Sequence, residues 1–221
     1  MEVPENVHFF CSWSGGKDSC LALYRAVRQG GVPRFLLTTA DESEERSRGH
    51  GVPLDVIEDQ AESLGVPLRV CRTSWEGYEG NFSSELRGLK EMGMSVGVFG
   101  DIDVEEHREW VERVCAAQGM GAFLPLWGEK RDSLLDELLG AGFSAVIVAV
   151  REGILGREYL GRTLDAEIAG ELGEAGVDVS GENGEYHTLV TDGPLFARPV
   201  ILRHGGHVKR DGVWFLEVSL A

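Results

Sequence analysis

Near its N-terminus the chain reads Ser12-Trp13-Ser14-Gly15-Gly16-Lys17-Asp18-Ser19. A hydrophobic run (7–12) precedes this segment and an amphipathic run (18–29) follows it, which predicts a strand, a tight turn and a helix. Adjacent glycines let the backbone turn sharply and direct N–H groups at an anion, and the helix N-terminus adds the positive end of its dipole. Serine hydroxyls and a lysine ammonium are good ligands for phosphate oxygens. The segment therefore predicts an exposed phosphate-binding loop in an α/β protein.

The spacing of this loop excludes two common nucleotide-binding motifs. A Walker loop needs Ser or Thr directly after its lysine, whereas Asp18 stands there. The G-x-G-x-x-G pattern of dinucleotide-binding folds is also absent. Phosphate would repel the Asp18 carboxylate unless that group bound a metal ion or the loop's own N–H groups. Asp18 is therefore a candidate metal ligand.

Composition and charge narrow the class of protein. The 221 residues are 43% hydrophobic and 26% charged, which is typical of a folded chain rather than a disordered one. With 37 acidic and 21 basic residues the net charge is −16, which disfavours general nucleic-acid binding. No apolar run approaches the roughly 18 residues of a membrane-spanning helix. Four cysteines without a C-x-x-C pair predict buried, reduced thiols and a cytoplasmic location.

The order of apolar and amphipathic segments predicts two domains. Short apolar runs that alternate with helix-length stretches are typical of parallel strands joined by crossover helices. We predict strands at 7–12, 35–39, 68–72 and 95–99 and helices at 18–29, 53–64, 83–92 and 103–118. Asp103 and Glu106 predict a capping box for the last of these helices. After a soft boundary near Gly121 we predict helices at 132–139 and 165–172 and strands at 143–150, 177–180, 187–190, 199–208 and 213–220. The result is a nucleotide-binding α/β domain, 1–121, and a smaller α+β domain, 122–221.

A second dense motif reads Ser180-Gly181-Glu182-Asn183-Gly184-Glu185-Tyr186-His187-Thr188. Its two glutamates, three residues apart among glycines, predict a compact acidic turn. Such a turn can bind a metal ion, orient an amine or position a substrate. Taken alone, a solvated hairpin turn is the simpler interpretation.

Together the two motifs resemble those of one family. The first is similar to the PP-loop of ATP pyrophosphatases. The second, followed by Asp192-Gly193-Pro194-Leu195-Phe196, resembles the G-E-x-G-E-[Y/F]-x-T and D-G-P-x-F motifs of the diphthine–ammonia ligase family. Three shorter segments also match that family in order: Pro125-Leu126-Trp127, Glu152-Gly153-Ile154-Leu155 and Leu160-Gly161-Arg162. The resemblance extends from about residue 7 to residue 202.

The resemblance implies a PP-loop ATP-binding domain, a smaller C-terminal substrate-binding domain and an active site in the cleft between them. It implies an AMP-forming ligase, in which ATP adenylates the diphthine carboxylate on a histidine of elongation factor 2. Ammonia then displaces AMP and leaves the amide of diphthamide. ATP and Mg²⁺ are the implied cofactors, and ammonia and the carboxylate acceptor are the implied partners. A homodimer is a further option.

Residue roles follow from the resemblance by position. Residues implied to bind ATP or Mg²⁺ are Ser12, Ser14, Gly15, Gly16, Lys17, Asp18, Ser19, Thr39 and His50, with Asp18 on the metal. Residues implied to face the acceptor are Gly100, Asp101, Trp127, Glu182, Glu185 and His187. The implied catalytic residues are Lys17, Asp18, Glu182 and Glu185. Two positions depart from the family pattern, since His187 stands where a glutamate is usual and the acidic segment 100–103 is an addition. Both departures leave the identity of the acceptor open.

Three alternative functions stay open on the residues alone. A PP-loop tRNA-modifying enzyme would carry a similar loop, although the acidic charge and the missing C-x-x-C pair argue against it. A sulfonucleotide reductase usually needs a C-terminal cysteine, whereas the last cysteine here is Cys115. A nucleotide sensor would bind ATP without forming AMP and pyrophosphate.

Overall fold

The computed structural model describes residues 6–43 and 45–221. These residues form two compact units. The first comprises residues up to Ser14 with 18–48 and 65–129, and the second comprises 15–17, 49–64 and 130–221. The domain boundary near Gly121 stays a prediction. The first five residues of the predicted domain 1–121 lie outside the described residues.

Five parallel strands form the sheet of the first unit. They are β1 (His8–Ser12), β2 (Val32–Asp41), β3 (Leu68–Thr73), β4 (Val96–Val98) and β5 (Gly121–Phe123), in the order β3-β2-β1-β4-β5. The α-helices of the described residues are α1 (Lys17–Arg28), α2 (Leu54–Leu64), α3 (Tyr78–Glu91), α4 (Glu105–Ala117), α5 (Arg131–Gly140) and α6 (Ala166–Glu174). The parallel sheet confirms the predicted α/β fold.

The strand order changes direction beside β1, because β2 and β3 follow on one side of it and β4 and β5 on the other. In open parallel sheets, ligands bind outside the carboxyl ends of the strands at such a switch point. Ser12 ends β1, and Gly100 and Asp101 follow β4. The topology thus brings two predicted site segments to the same edge of the sheet.

Apolar side chains from the sheet and from α3 and α4 share one core cluster. Phe10 of β1 meets Phe99 edge to face, with ring centroids 5.8 Å apart and planes at 86°. Leu86 of α3 and Cys115 of α4 are fully buried in the same cluster. All four cysteines are free and buried, as predicted, and burial raises the pKa of the Cys115 thiol to about 12. These thiols are packing residues.

An antiparallel sheet forms the second unit. Its strands are β6 (Ser144–Arg151), β7 (Tyr186–Asp192), β8 (Leu202–Arg210) and β9 (Val213–Leu220), in the order β7-β6-β9-β8. Residues 145–150 of β6, which lies between β7 and β9, are all buried. Asp211 and Gly212 join β8 to β9 with φ of 47° and 80°, the conformation of a two-residue hairpin turn. With α5 and α6, this sheet confirms the predicted α+β part.

Three local predictions are wrong. Residues 177–180 form no strand, because the Asp178 carboxylate accepts hydrogen bonds from the N–H groups of Ser180 and Glu182, both at 3.0 Å. The capping box at Asp103 does not form, since α4 begins at Glu105 after Val104 and no side chain caps it. Helix α3 begins at residue 78, five residues before the predicted start. None of the helices in the described part of the chain is long and apolar enough to span a membrane.

Candidate active site

Two glycines shape the loop that follows β1, and each is required by a close neighbour. Gly15 has a φ of +78°, and a Cβ there would lie 2.6 Å from Gln60 Oε1. A Cβ on Gly16 would lie 2.5 Å from Cε1 of His50 and 3.0 Å from the carbonyl oxygen of Thr188. Real Cβ atoms do not approach other atoms this closely, so neither position accepts a side chain without a rearrangement.

Hydrogen bonds tie the loop backbone to β7. The carbonyl oxygen of Gly15 accepts from the N–H of Val190 at 2.9 Å and from Nε2 of Gln60 at 3.0 Å. The same amide of Gln60 donates to the carbonyl of Val190 at 2.6 Å, and Gln60 is fully buried. The N–H of Lys17 donates to Oγ1 of Thr188 at 3.1 Å. One N–H group expected to face an anion is therefore bonded to β7.

The side chain of Lys17 is buried, contrary to the expectation of an exposed loop. Only 7% of the residue is accessible, and its Nζ lies 3.7 Å from Oε1 of Glu182. Glu182 is also mostly buried, with 18% of its side chain exposed. The fold thus pairs two predicted catalytic residues, one from each sequence motif.

Two histidines stack beside the loop. The rings of His50 and His187 have centroids 4.7 Å apart and planes inclined by 19°. His50 Nδ1 lies 3.0 Å from the carbonyl oxygen of Thr188, so in the neutral ring Nδ1 carries the proton and Nε2 is an acceptor. Burial lowers the pKa of His50 to about 4, against the hydrogen bond to Thr188, and the positive charge of Lys17 adds to the lowering. His50 is therefore neutral near pH 7.

The acidic turn before β7 is organised by its own side chains. Glu185 is buried, and its carboxylate accepts from the backbone N–H of Asn183 at 3.0 Å and from Nδ2 of Asn183 at 2.9 Å. The Asp178 carboxylate, which already accepts two backbone N–H groups, also pairs with Arg131. Glu185 and Asp178 thus shape the turn that carries Glu182.

In the first unit, the predicted phosphate ligands lie at the start of α1. Oγ of Ser14 and Oγ of Ser19 are 3.2 Å apart, and Asp18 is half-buried in the first helical turn. A Cβ on Gly100 would lie 2.9 Å from the backbone carbon of Asp18. Gly100, predicted to face the acceptor, therefore has a packing role, because it lets the segment after β4 approach α1.

Asp101 lines a cavity of about 400 Å³ in the first unit. Its carboxylate lies 3.3 Å from Nδ1 of His107. Thr39 forms a hydrogen bond with the side chain of Tyr78, another lining residue. Trp127 is not among the residues that line this cavity, and the guanidinium of Arg108 lies 4.9 Å from its ring centroid. The full lining is Ser12, Trp75, Tyr78, Phe82, Phe99, Asp101, His107, Trp110 and Val111.

Some of these residues carry no signal that sequence reasoning uses. Gln60 is one buried polar residue in an amphipathic helix, and only the fold places it against the loop. Asp178 and Ser180 do form a recognisable Asx-turn pattern, which the strand prediction did not take into account.

No cluster of three or more histidine, cysteine, aspartate or glutamate residues suited to a metal ion occurs among residues 6–43 and 45–221. The roles of the predicted site residues stay predictions.

Family comparisons match both halves of the chain. A family model described as the diphthamide synthase N-terminal domain matches residues 8–122, and one described as the diphthamide synthase C-terminal domain matches residues 130–217. The chain belongs to the diphthamide synthase family. The order of its two matches is the order in which the sequence motifs occur along the chain.

Individual relatives of this chain have names that agree with the family. A Danio rerio protein named diphthine–ammonia ligase is 32% identical over 223 residues, covering 86% of this chain and 84% of the relative. A Homo sapiens protein of the same name is 31% identical over 221 residues, covering 86% and 80%. A solved structure, of a predicted subunit of tRNA methyltransferase from Methanocaldococcus jannaschii, is 17% identical with a TM-score of 0.42, covering 78% and 90%. That last likeness is too distant to inform on function.

Proposed function

We propose that this chain is an ATP-dependent ligase that adenylates a carboxylate and transfers ammonia to it, releasing AMP and pyrophosphate. The observation that carries the proposal is the pairing of Lys17 in the phosphate loop with Glu182 in the acidic turn, 3.7 Å apart. The relatives named diphthine–ammonia ligase support the same chemistry. Neither a tRNA-modifying enzyme nor a sensor gains support from them.

The phosphate loop supplies the ATP half of the reaction. The hydroxyls of Ser14 and Ser19 and the ammonium of Lys17 would bind phosphate oxygens at the N-terminus of α1. Asp18 offers one half-buried carboxylate there. Mg²⁺ is usually held by one or two carboxylates together with substrate phosphates, so this donor set fits it. When bound, Mg²⁺ would stabilise the charge that develops on pyrophosphate.

The acidic turn and the histidine pair would serve the ammonia half. A carboxylate is a poor electrophile, and its adenylate gives it a good leaving group. The addition of ammonia releases a proton that needs an acceptor. Glu182 would accept it, since its carboxylate lies 3.7 Å from Nζ of Lys17, whereas neutral His50 offers Nε2 as a hydrogen-bond acceptor rather than as a base. Their burial also keeps water from hydrolysing the adenylate.

The identity of the acceptor is a separate part of the proposal. Diphthine is the acceptor in the names of the relatives, and the sequence resemblance implies elongation factor 2 as the protein that carries it. Free ammonia is the simplest nitrogen source. His187, in β7 just after the acidic turn, departs from the family pattern, so a related carboxylate is an alternative. A cytoplasmic location fits four buried, free cysteines.

The test is ATP–pyrophosphate exchange against a panel of carboxylates, with and without elongation factor 2 and with ammonium as the second substrate. Exchange that requires a carboxylate, followed by stoichiometric AMP and amide, supports the proposal. Tight ATP binding without exchange on any acceptor would contradict it and favour a sensor. For the variant Lys17→Ala in this assay, Lys209→Ala is the matched control, because it also removes an ammonium that pairs with a glutamate, Glu152, at 2.6 Å.

A further inference from the structure

One arginine lies against the acidic turn without pairing with either of its glutamates. Arg151 ends β6, and its backbone N–H donates to the carbonyl oxygen of Glu185 at 2.8 Å. A Cβ on Gly184 would overlap with Nη2 of Arg151, so the guanidinium lies directly against the backbone of that glycine. The arginine is exposed, and none of the carboxylates in residues 6–43 and 45–221 forms an ion pair with it.

A β-turn brings Gly184 close to Glu182. The N–H of Gly184 donates to the carbonyl oxygen three residues earlier at 2.9 Å, so residues 181–184 form the turn and Glu182 is its second residue. The Cα atoms of Glu182 and Gly184 are two residues apart along the chain, which is about 7 Å at most. Arg151 therefore lies beside the turn that carries the proposed base.

The other charged groups around this turn already have partners. The ion pairs are Lys17 with Glu182, Arg131 with Asp178 and Lys209 with Glu152. The buried Glu185 carboxylate accepts two hydrogen bonds from Asn183 instead. The guanidinium of Arg151 is thus available to an incoming anion, whereas the cations of these ion pairs are neutralised.

An acceptor that brings a carboxylate to this turn needs such a cation. The carboxylates of Glu182 and Glu185 repel another carboxylate at short range, and Lys17 is the proposed ligand of phosphate. A guanidinium offers two parallel N–H donors that match the two oxygens of a carboxylate. It also keeps its own proton, so the bound carboxylate stays ionised and can attack the α-phosphate of ATP.

We propose that Arg151 binds the carboxylate of the acceptor and holds it beside the acidic turn. The identity of the bound carboxylate as the acceptor rests on the proposed ligase function, whereas the binding of a carboxylate at Arg151 does not. An acceptor with an amide in place of the carboxylate would lose the paired charge. Arg151 is therefore a specificity-determining residue for the reacting group of the acceptor.

Modification by phenylglyoxal tests this contact without turnover, because the reagent attacks guanidinium groups that are open to solvent. Its rates at Arg151 and Arg203 are followed by peptide mass spectrometry on the full chain, with propionate or with its neutral isostere propionamide at equal ionic strength. Propionate at its Kd should slow modification of Arg151 roughly two-fold, because half of the sites are then occupied, and propionamide should not. Arg203 is the matched control, since it is also exposed, lies in the same unit and forms no ion pair with the described residues.

ATP–pyrophosphate exchange tests the role of Arg151 in the reaction. Arg151→Gln should raise the KM of the carboxylate that supports exchange roughly 3- to 30-fold, since a charge-assisted contact is lost at a site that solvent partly screens. Arg151→Lys should raise it less, because the charge remains and only the pair of parallel donors is lost. The KM of ATP should stay unchanged in both variants, and Arg203→Gln should change neither KM.

Equal slowing of modification at Arg151 and Arg203, or none at Arg151, would overturn the proposal. So would protection of Arg151 by Mg²⁺·ATP but not by propionate, or a KM of ATP that rises as much as that of the carboxylate in Arg151→Gln, since the guanidinium would then bind phosphate. Exchange that no carboxylate supports would contradict the ligase proposal alone. Selective protection of Arg151 by propionate would in that case still assign the carboxylate site.

Discussion

His50 and His187 stack with their ring centroids 4.7 Å apart, and Nδ1 of His50 lies 3.0 Å from the carbonyl of the residue that follows His187. The pair therefore joins the segment before α2 to the start of strand β7. Two stacked imidazoles cannot both be charged without repulsion, and the pKa of His50 is held at about 4 by burial. The resemblance to the family implies a glutamate at the position of His187, whereas this chain has a ring that stacks on His50.

The first prediction concerns acid stability. Since the pKa of His50 falls from 6.5 to about 4 on folding, the unfolded chain binds more protons between these values. The free energy of unfolding should therefore fall as the pH drops through that window, and the contribution is absent above pH 6.5. His50→Asn keeps a donor for the Thr188 carbonyl but does not titrate. The difference in unfolding free energy between wild type and variant should change by roughly 1–2 kcal/mol between pH 7.5 and pH 5.

Urea unfolding of both proteins at the two pH values measures this difference, and the other titrating groups cancel in it. A stability difference that stays constant with pH would mean that folding does not change the pKa of His50. A variant that is less stable at pH 7.5 has lost packing contacts, because the titration of His50 contributes nothing at that pH. The change in the stability difference between pH 7.5 and pH 5 still tests the prediction.

The second prediction concerns Lys17. Lys17→Ala should weaken binding of Mg²⁺·ATP roughly 10- to 150-fold, about 1.5–3 kcal/mol for one charge-assisted contact. It should also lower stability, because Glu182 then keeps a mostly buried carboxylate without this partner. The double variant Lys17→Ala/Glu182→Gln should recover part of that stability and none of the ATP affinity.

Calorimetric titration with Mg²⁺·ATP and thermal unfolding separate the two effects. Lys209→Ala, which breaks a surface ion pair, should change neither by much. An unchanged ATP affinity in Lys17→Ala would show that the loop does not bind phosphate.

The third prediction separates the two glutamates of the acidic turn. Glu182→Gln should bind ATP normally yet form little product, because only a charge next to the loop is removed. Glu185→Gln should lower the stability by roughly 1–3 kcal/mol, since its amide N–H₂ group would replace one carboxylate oxygen and leave one of the two N–H donors of Asn183 without its acceptor. Activity per folded molecule should then fall more in Glu182→Gln than in Glu185→Gln. The reverse order would assign the chemistry to Glu185.

Local sequence patterns predict the fold and the phosphate loop, but they do not predict the distant residues that support the loop. The glycine pair and the flanking periodicities predict the strand, the turn and α1 within one or two residues, because each is encoded by neighbours in sequence. The burial of Lys17 is not encoded there, since it arises from Glu182 and Thr188 far along the chain. The cavity lined by Asp101 forms where the sheet topology brings the segments after β3 and β4 together, so no single segment of the sequence predicts it.

The last prediction tests Gln60, a residue of α2 that supports the loop. Gln60 is fully buried, and its Nε2 bonds the carbonyls of Gly15 and Val190. Gln60→Leu keeps a similar size but leaves the Val190 carbonyl without this donor, which should cost roughly 1–3 kcal/mol and lower the melting temperature by about 2–10 °C. The conformation of the loop should also loosen, so Mg²⁺·ATP affinity should fall although Gln60 itself lies behind the loop and contacts its backbone. Gln29→Leu, at an exposed position, is the matched control for added hydrophobic surface. A lower melting temperature with unchanged ATP affinity would mean that β7 alone holds the loop in its binding conformation.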